Sequence, residues 1–324
     1  MKARVMAVGD IIIHQDQINA AYDEVSHSYS FSSCFEEVRE LFSQADLVIG
    51  NLETTFAGKE KGYTGYPRFN APEILAKELK LVGFDVLTTA NNHAADYGEA
   101  GIFSTLDRLD EAGLLHTGTA RSQKERNTPL IVTRNKIRIA ITAYTYGTND
   151  IPVAEEYMVN LIDYEKVALD VAACRAAGAD VILSMLHIGT EYSTCPDETQ
   201  KAAVEKFQSL GIDIVLGSHP HIVQQPILSP DASRYAIFSM GNFISNQRGD
   251  GKDIGVIVDL TLDVSPDKQL HITPNYHLTY VHKWTENGRL RYLIRLLKEE
   301  CELLRNSEYL RLNHTQILTR LRKG

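Results

Sequence analysis

Residues 214–221 read Ile-Val-Leu-Gly-Ser-His-Pro-His, an apolar run that ends abruptly in two histidines. A short apolar run followed by turn-forming residues predicts a buried strand, and the polar residues then lie just beyond its carboxyl end. Histidines separated by one residue can both reach a metal ion, and Pro220 restricts the backbone between them. This stretch therefore predicts a strand that carries a candidate metal-binding pair, His219 and His221.

The same arrangement recurs along the chain. Apolar runs that end in polar clusters predict strands at residues 3–8, 47–49, 85–89, 181–186 and 236–239. Helical periodicity predicts helices at residues 31–42, 72–82, 98–112, 164–177 and 197–210. A hairpin at 130–143 and a long strand at 254–262 complete the pattern. Strands alternating with helices predict an α/β fold with helix-covered sheets, and the later strands, which lack intervening helices, indicate a mixed or antiparallel part.

The last 37 residues differ from the rest in charge and in pattern. From Gly288 onward, nine Lys and Arg stand against four Asp and Glu. Helical spacing is followed by Leu290, Leu293, Ile294, Leu297, Cys301 and Leu304, and residues 309–321 predict a second helix. We therefore expect a main domain over residues 1–287 and C-terminal helices over 288–324 that pack on it. A helix for a membrane surface or a partner is the alternative.

Composition limits the function. The 324 residues include 33 Lys and Arg and 42 Asp and Glu, a net charge of −9 that argues against nucleic-acid binding. The four cysteines form no CxxC pair, which is typical of reduced thiols in a reducing compartment. No run approaches the roughly 18 apolar residues of a membrane helix. We therefore expect a cytoplasmic protein without an integral membrane segment.

Residues with metal-binding or proton-transfer chemistry lie at the predicted strand ends, which is where α/β sheets bind ligands. We expect one crevice to collect Asp10, Asn51, Glu53, Asn92, His93, His187, His219, His221 and Asn242. Carboxylate, amide and imidazole groups make a mixed oxygen and nitrogen ligand set. Such a set fits one or two divalent ions, manganese, zinc or iron, with open positions, and it differs from a closed cysteine-rich zinc site.

Several motifs in a fixed order resemble one known family. They are Gly9-Asp10, Asn51-Leu52-Glu53, Ala90-Asn91-Asn92-His93-Ala94 with Asp96-Tyr97-Gly98, His187-Ile188-Gly189, Gly217-Ser218-His219-Pro220-His221 and Ser239-Met240-Gly241-Asn242-Phe243. With these motifs the chain resembles the CapA-like proteins, named for poly-γ-glutamate capsule synthesis, within the calcineurin-like metallophosphatase superfamily. The resemblance covers residues 8 to about 247 and implies a four-layer αββα sandwich with a metal site at the strand ends.

The resemblance also implies roles for individual residues. It implies metal ligands at Asp10, Glu53, Asn92, His187, His219 and His221, with Glu53 in the bridging position. It implies that His93 is a catalytic acid that does not bind metal, and we expect Asn51 and Asn242 to contribute to catalysis beside it. The sequence departs from the superfamily at two places: Ile12 stands where a histidine is usual, and Glu53 replaces an aspartate.

Three residues are candidates for substrate binding. Arg68 lies in the long irregular stretch 54–71, and Glu191 and Tyr192 follow the His187 motif. We expect a metal-dependent hydrolase that acts on a phosphoester or on a peptide or γ-glutamyl-type carbonyl, in a small-molecule, peptide or polyglutamate-like anionic substrate. A metal-assisted epimerase or isomerase is one alternative. The other is a non-catalytic polyanion-binding partner in capsule synthesis, although capsule-associated members usually carry a membrane anchor.

Overall fold

The computed structural model describes residues 1–299 and 301–322. In chain order, the strands of these residues are β1 (Lys2–Ile11), β2 (Tyr22–Asp23), β3 (Ser28–Tyr29), β4 (Leu47–Leu52), β5 (Val86–Thr88), β6 (Leu115–Thr117), β7 (Leu130–Arg134), β8 (Ile137–Thr145), β9 (Val181–His187), β10 (Ile214–Ser218), β11 (Pro226–Leu228), β12 (Tyr235–Ile237), β13 (Asn242–Ile244), β14 (Ile254–Val264), β15 (Leu270–Glu286) and β16 (Arg289–Leu296).

The α-helices of the same residues are α1 (Gln15–Ala21), α2 (Glu36–Phe42), α3 (Ile74–Val82), α4 (Gly98–Ala112), α5 (Gln123–Arg126), α6 (Tyr164–Ala176), α7 (Glu198–Ser209), α8 (Glu302–Asn306) and α9 (Glu308–Leu321). Two short 3₁₀ helices lie at Ser32–Phe35 and Lys59–Lys61. None of the described helices combines the length and the apolar character that a membrane span requires.

Two large sheets form the centre of the fold. The first runs β16-β15-β14-β1-β4-β5-β6, with β13 also paired to β1, and the second runs β11-β12-β10-β9-β8-β7. β1 is parallel to β4 and antiparallel to β14, while β7 and β8 form the predicted antiparallel hairpin. The expected mixed architecture is therefore confirmed.

Alternating side chains along β1 show how the layers stack. Met6 and Val8 point into a core that the first sheet shares with α1 to α4. Val5 and Ala7 point the other way, into a core shared with the second sheet. The far face of the second sheet packs against α6 and α7. This succession of helices, sheet, sheet and helices confirms the four-layer αββα sandwich.

The C-terminal segment corrects one prediction. The helix expected from the spacing of Leu290, Leu293, Ile294 and Leu297 is wrong, because Arg289–Leu296 is strand β16, antiparallel to β15. The same residues also alternate, with Tyr292 and Ile294 buried, and the long neighbour β15 selects the strand. The helix predicted at 309–321 is confirmed as α9, which packs on the core between the sheets. The division of the chain at residue 288 stays a prediction.

Candidate metal centre

Strand register places the first site residues beside one another. In the first sheet, Asp10 at the end of β1 is paired with Asn51 of β4 on one side and with Asn242 of β13 on the other. In the second sheet, His187 at the end of β9 is paired with Ser218 of β10. Asp10, Asn51, His187 and Ser218 lie at the carboxyl ends of their strands, as the position of their motifs predicts, whereas Asn242 is the first residue of β13.

Gly9 explains why glycine precedes the first aspartate. A Cβ atom built at this position would lie 1.9 Å from the carbonyl oxygen of Gly241. Only glycine therefore lets β1 approach the turn before β13, where the Asp10 amide donates a hydrogen bond to the same Gly241 oxygen at 3.1 Å. The close approach fixes Asp10 against Asn242.

Asp10 is fully buried and well supplied with donors. Its Oδ1 accepts a hydrogen bond from Asn51 Nδ2 at 2.8 Å, and its Oδ2 accepts from the His219 amide at 3.2 Å. The His221 ring nitrogen Nδ1 lies 3.0 Å from the same Oδ2. Burial alone would raise the pKa of Asp10, but the hydrogen bond and charge of His221 outweigh it and hold that pKa below its ordinary value. Asp10 is therefore an ionised carboxylate.

Glu53 is buried without any such support. It follows β4, has no exposed surface, and neither of its carboxylate oxygens accepts a hydrogen bond from the described residues. Burial, and then the charge of Asp10, raise its pKa well above the ordinary value. Its Oε1 lies 3.7 Å from His187 Nε2. A cation bound here would compensate the charge of the buried Glu53 carboxylate, which has no hydrogen-bond donor among the described residues and lies beside a second carboxylate.

His187 and His219 are held in the neutral form that binds metals. His187 contacts Ser218 Oγ at 2.8 Å through Nδ1 and the Asn92 amide oxygen at 2.8 Å through Nε2. Burial, and then the neighbouring His219, hold the pKa of His187 well below its ordinary value. Burial and then His221 lower the pKa of His219 to about 4, and the Nδ1 atom of His219 has no hydrogen-bond partner among the residues that the structure describes.

Two overlapping groups of side chains have the spacing of a metal site. One contains Glu53, His219 and His221, and the other contains Asp10, Glu53 and His187, with ligand atoms in each group within 4.8 Å of one another. Glu53 belongs to both groups. The oxygen and nitrogen donor set and the unpartnered Glu53 oxygens fit one or two divalent ions.

Asn92 and His93 lie beside these groups. The Asn92 amide oxygen faces His187, while His93 belongs to neither group. His93 Nδ1 instead lies 2.9 Å from Asp96 Oδ2, and both residues are buried. Asp96 was noted in the sequence only as part of a motif, and its contact with His93 was not predicted. An aspartate three residues after a histidine in a loop is a signal from which this contact could have been predicted.

The long loop at 54–71 is tied to this histidine. The Phe69 amide donates to Asp96 Oδ2 at 2.7 Å, and the Phe69 ring lies edge-on to His93 with centroids 4.6 Å apart. Arg68, the residue before Phe69, is exposed, and its guanidinium has no hydrogen bond or ion pair with the described residues. The loop therefore carries a free cationic side chain next to the residue that packs on His93.

Two tyrosines lie at the mouth of the site. The ring of Tyr192 is 6.0 Å from that of His221, and Glu191 beside it is exposed. Tyr146, which the sequence analysis missed, follows β8 and lies 4.7 Å from the His219 ring and 6.5 Å from the His187 ring. Burial and then the charge of Glu191 raise the pKa of each tyrosine to about 12, so both phenols are neutral near pH 7.

Asn242 and His14 contact the site's edge. Asn242 Nδ2 donates to Gln247 Oε1 at 3.0 Å and to the Lys252 carbonyl at 2.8 Å, and its buried Oδ1 has no hydrogen-bond partner in the described part of the chain. His14 accepts a hydrogen bond from the Asn246 amide at 3.2 Å and belongs to neither metal-binding group of the described residues. The metal-binding, catalytic and substrate-binding roles expected for the site residues all stay predictions, including those of Asn51, Asn242, Arg68, Glu191 and Tyr192.

Comparison with known proteins connects these observations to a family and a fold. The chain is 27% identical over 257 residues to the capsule biosynthesis protein CapA of Bacillus anthracis, covering 76% of this chain and 60% of that protein. It is 25% identical over 271 residues to the PGA biosynthesis protein CapA of Bacillus subtilis (strain 168), covering 82% and 70%. The matched region thus spans less than two thirds of the Bacillus anthracis protein.

The fold also occurs in solved structures. The NAD nucleotidase NadN of Haemophilus influenzae superposes with a TM-score of 0.51 at 12% identity, covering 98% of this chain and 60% of that one. Similarity at this identity concerns the fold. The sequence pattern of the family described as "Bacterial capsule synthesis protein PGA_cap" matches residues 4–247, about three quarters of the chain. The chain therefore belongs to the bacterial capsule synthesis protein PGA_cap family.

Proposed function

We propose that this protein is a divalent-metal-dependent hydrolase that acts on a phosphoester or on a peptide or γ-glutamyl-type carbonyl. The observation that supports this proposal most is the buried Glu53 carboxylate, which accepts no hydrogen bond from the described residues and belongs to both groups of potential ligands. A cation there would compensate the charges of Glu53 and Asp10. Metal-dependent hydrolysis also needs a proton donor and a route for the substrate. The candidate donor is His93, and the candidate route is the mouth beside Tyr146 and Tyr192.

The proposed ligands are Asp10, Glu53, Asn92, His187, His219 and His221. When bound, a divalent ion supplies Lewis acidity, which polarises a phosphoryl or carbonyl oxygen and orients the substrate. The second contribution comes from His93. Asp96 accepts a hydrogen bond from the Nδ1 atom of His93 and orients the ring. The Nε2 proton is then available to the leaving oxygen or nitrogen as the bond to it breaks.

The experiment compares metal-loaded wild type with the apo protein on two substrates, a phosphodiester and a γ-glutamyl amide. Metal-dependent turnover of either one supports the proposal and selects the bond that is cleaved. The His93→Asn variant should keep the metal and lose about 10²–10⁴-fold in rate, which is the usual contribution of a positioned acid. Metal-loaded wild type that cleaves neither substrate contradicts the hydrolase proposal.

A second function is favoured by the relatives. The two Bacillus proteins carry names in capsule and PGA biosynthesis. A non-catalytic protein that binds an anionic polymer through the metal cleft would share the same ligands and would need no acid. In that case, metal-loaded wild type should bind a polyglutamate chain without cleaving it, and His93→Asn should leave that binding unchanged.

A further inference from the structure

Tyr146 is an aromatic side chain that remains exposed beside buried imidazoles. It is 46% exposed, whereas His187 and His219 next to it are buried. Its ring lies nearly parallel to that of His187, with an interplanar angle of 7°, and is tilted by 47° against that of His219. One part of the ring therefore packs on two proposed ligands while the rest faces the open mouth.

Tyr192 is the second exposed ring at the mouth, but a lysine side chain already lies over it. It is 45% exposed and has a positive φ of 64°, a backbone conformation that bulky residues rarely adopt. Its amide donates to the Pro220 carbonyl at 2.8 Å, which ties it to the loop of His219 and His221. The Lys252 ammonium lies 5.2 Å from the ring centroid. Tyr146 has no such cation over its ring among the described residues.

We propose that Tyr146 binds a planar group of the substrate, next to the oxyanion that the metal centre holds. The proposal rests on the metal-dependent function proposed above and names a substrate class for it: a compound in which an unsaturated or aromatic group adjoins the reacting phosphoryl or carbonyl. A planar group that stacks on Tyr146 covers its exposed surface and gains the offset or edge contact that aromatic rings favour. A flexible aliphatic chain would gain less from a flat ring.

The test uses binding rather than turnover. A phosphonate presents a tetrahedral oxyanion to the metals and is not cleaved, so phenylphosphonate and methylphosphonate differ only in the planar group. Isothermal titration of metal-loaded wild type should show phenylphosphonate binding about twofold to twelvefold tighter, the usual worth of one aromatic contact. Tyr146→Phe keeps the ring and should keep the ratio. Tyr146→Ala should bring the two affinities to near equality.

Controls separate this role from a structural one. Tyr164 is 38% exposed on the outer helix α6, and Tyr164→Ala should leave the ratio unchanged. Metal content and thermal unfolding of the Tyr146 variants must match wild type, and Tyr146→Leu replaces Tyr146→Ala if the alanine variant is unstable. Equal affinities for the two phosphonates in wild type, an unchanged ratio in both nonaromatic variants, or no binding of either phosphonate overturns the proposal.

The outcomes also distinguish this proposal from the hydrolase proposal. If wild type cleaves neither the phosphodiester nor the γ-glutamyl amide but retains the phenylphosphonate preference, the hydrolase proposal fails and the role of Tyr146 stands. If wild type cleaves one of them but binds the two phosphonates equally, the hydrolase proposal stands and the role of Tyr146 fails.

Discussion

Replacing Glu53 by glutamine should change the metal-free and the metal-loaded protein in opposite directions. The Glu53 carboxylate is buried next to Asp10 and has no hydrogen-bond donor among the described residues. Removing the charge should therefore increase the free energy of unfolding. With metal present, the same substitution removes an anionic oxygen from both ligand groups and should weaken metal binding. A purely structural glutamate would not give this reversal of sign.

The expected magnitudes follow from the burial. An unsatisfied buried polar group costs about 1–3 kcal/mol. At this chain length, each kcal/mol shifts the melting temperature by about 1.5 °C, so Glu53→Gln should raise the melting temperature of the metal-free protein by roughly 1.5–4.5 °C. Loss of a residue that merely orients a ligand costs roughly 10–100-fold in metal affinity, so loss of a direct anionic ligand should cost at least as much.

The sign of the pH dependence adds a second check. The pKa of Glu53 is raised in the folded protein, so its contribution to stability is fully present below the unfolded pKa near 4.3 and is lost as pH rises through the folded pKa. The stabilisation by Glu53→Gln should therefore be small at about pH 4 and grow toward pH 7. Thermal unfolding of metal-free wild type and variant across this range measures it.

Glu78 provides the matched control. It is also buried, but its carboxylate accepts hydrogen bonds from Ser30 Oγ and from the Phe31 amide, both at 2.6 Å. Glu78→Gln should lower stability and leave metal affinity unchanged. Titration calorimetry with manganese and zinc gives the affinities. Unchanged metal affinity in Glu53→Gln, or a lower melting temperature of its metal-free form, would refute the reasoning.

Three further predictions concern the histidines and the C-terminal helices. His219→Ala should lose metal and activity together, whereas His93→Asn should retain metal. If metal analysis shows that His219→Ala retains metal and His93→Asn loses it, His93 is the ligand and His219 is not. Burial lowers the pKa of His219 to about 4, so between about pH 7 and pH 5 the imidazole is protonated in the unfolded chain but not in the folded protein. Metal-free wild type should therefore lose stability relative to His219→Asn as pH falls through this range, and a pH-independent difference contradicts this. Deleting residues 302–324 should expose core contacts of Leu310 and Ile317, each worth about 1.5–3 kcal/mol, and an equally stable truncation would show that these contacts are dispensable.

Elements with a clear period and clear ends were predictable. The helix expected at 98–112 is α4 with the same bounds, and Gly113 ends it in the left-handed conformation at φ 71°. The hairpin of β7 and β8 likewise follows from two apolar runs around Arg134 and Asn135. In these segments the local pattern and the tertiary packing agree, so the sequence alone was sufficient.

The C-terminal segment shows where a local pattern fails. Leucines and isoleucines between 290 and 297 satisfy a helical period, but the same segment also alternates with a period of two. The choice depends on β15, which is 17 residues long, carries a mixed pattern and was not predicted. Pairing with that neighbour satisfies the backbone of β16, so a contact between two segments determined the structure of one of them.

The site divides in the same way. Residues at strand ends could be predicted to meet, since the carboxyl ends of neighbouring parallel strands lie at the same edge. Tyr146 also follows a strand, but a tyrosine after an apolar run is not by itself a sign of a functional site. Only the short distance between its ring and that of His219 places it at the site. Asp96 needed the loop geometry that brings its carboxylate to His93 and to the Phe69 amide at once.

The balance of buried charge connects the fold to the proposed chemistry. The Asp10 carboxylate receives donors from Asn51, His221 and the His219 amide, so the protein itself compensates that charge. No described residue donates a hydrogen bond to Glu53, and the neighbouring His187 ring is neutral because its pKa is lowered. Strand register positions Asp10 and His187, and we expect the geometry of these two residues to persist without metal. Metal binding should accordingly raise stability by relieving one uncompensated carboxylate, while the arrangement of the strands stays the same.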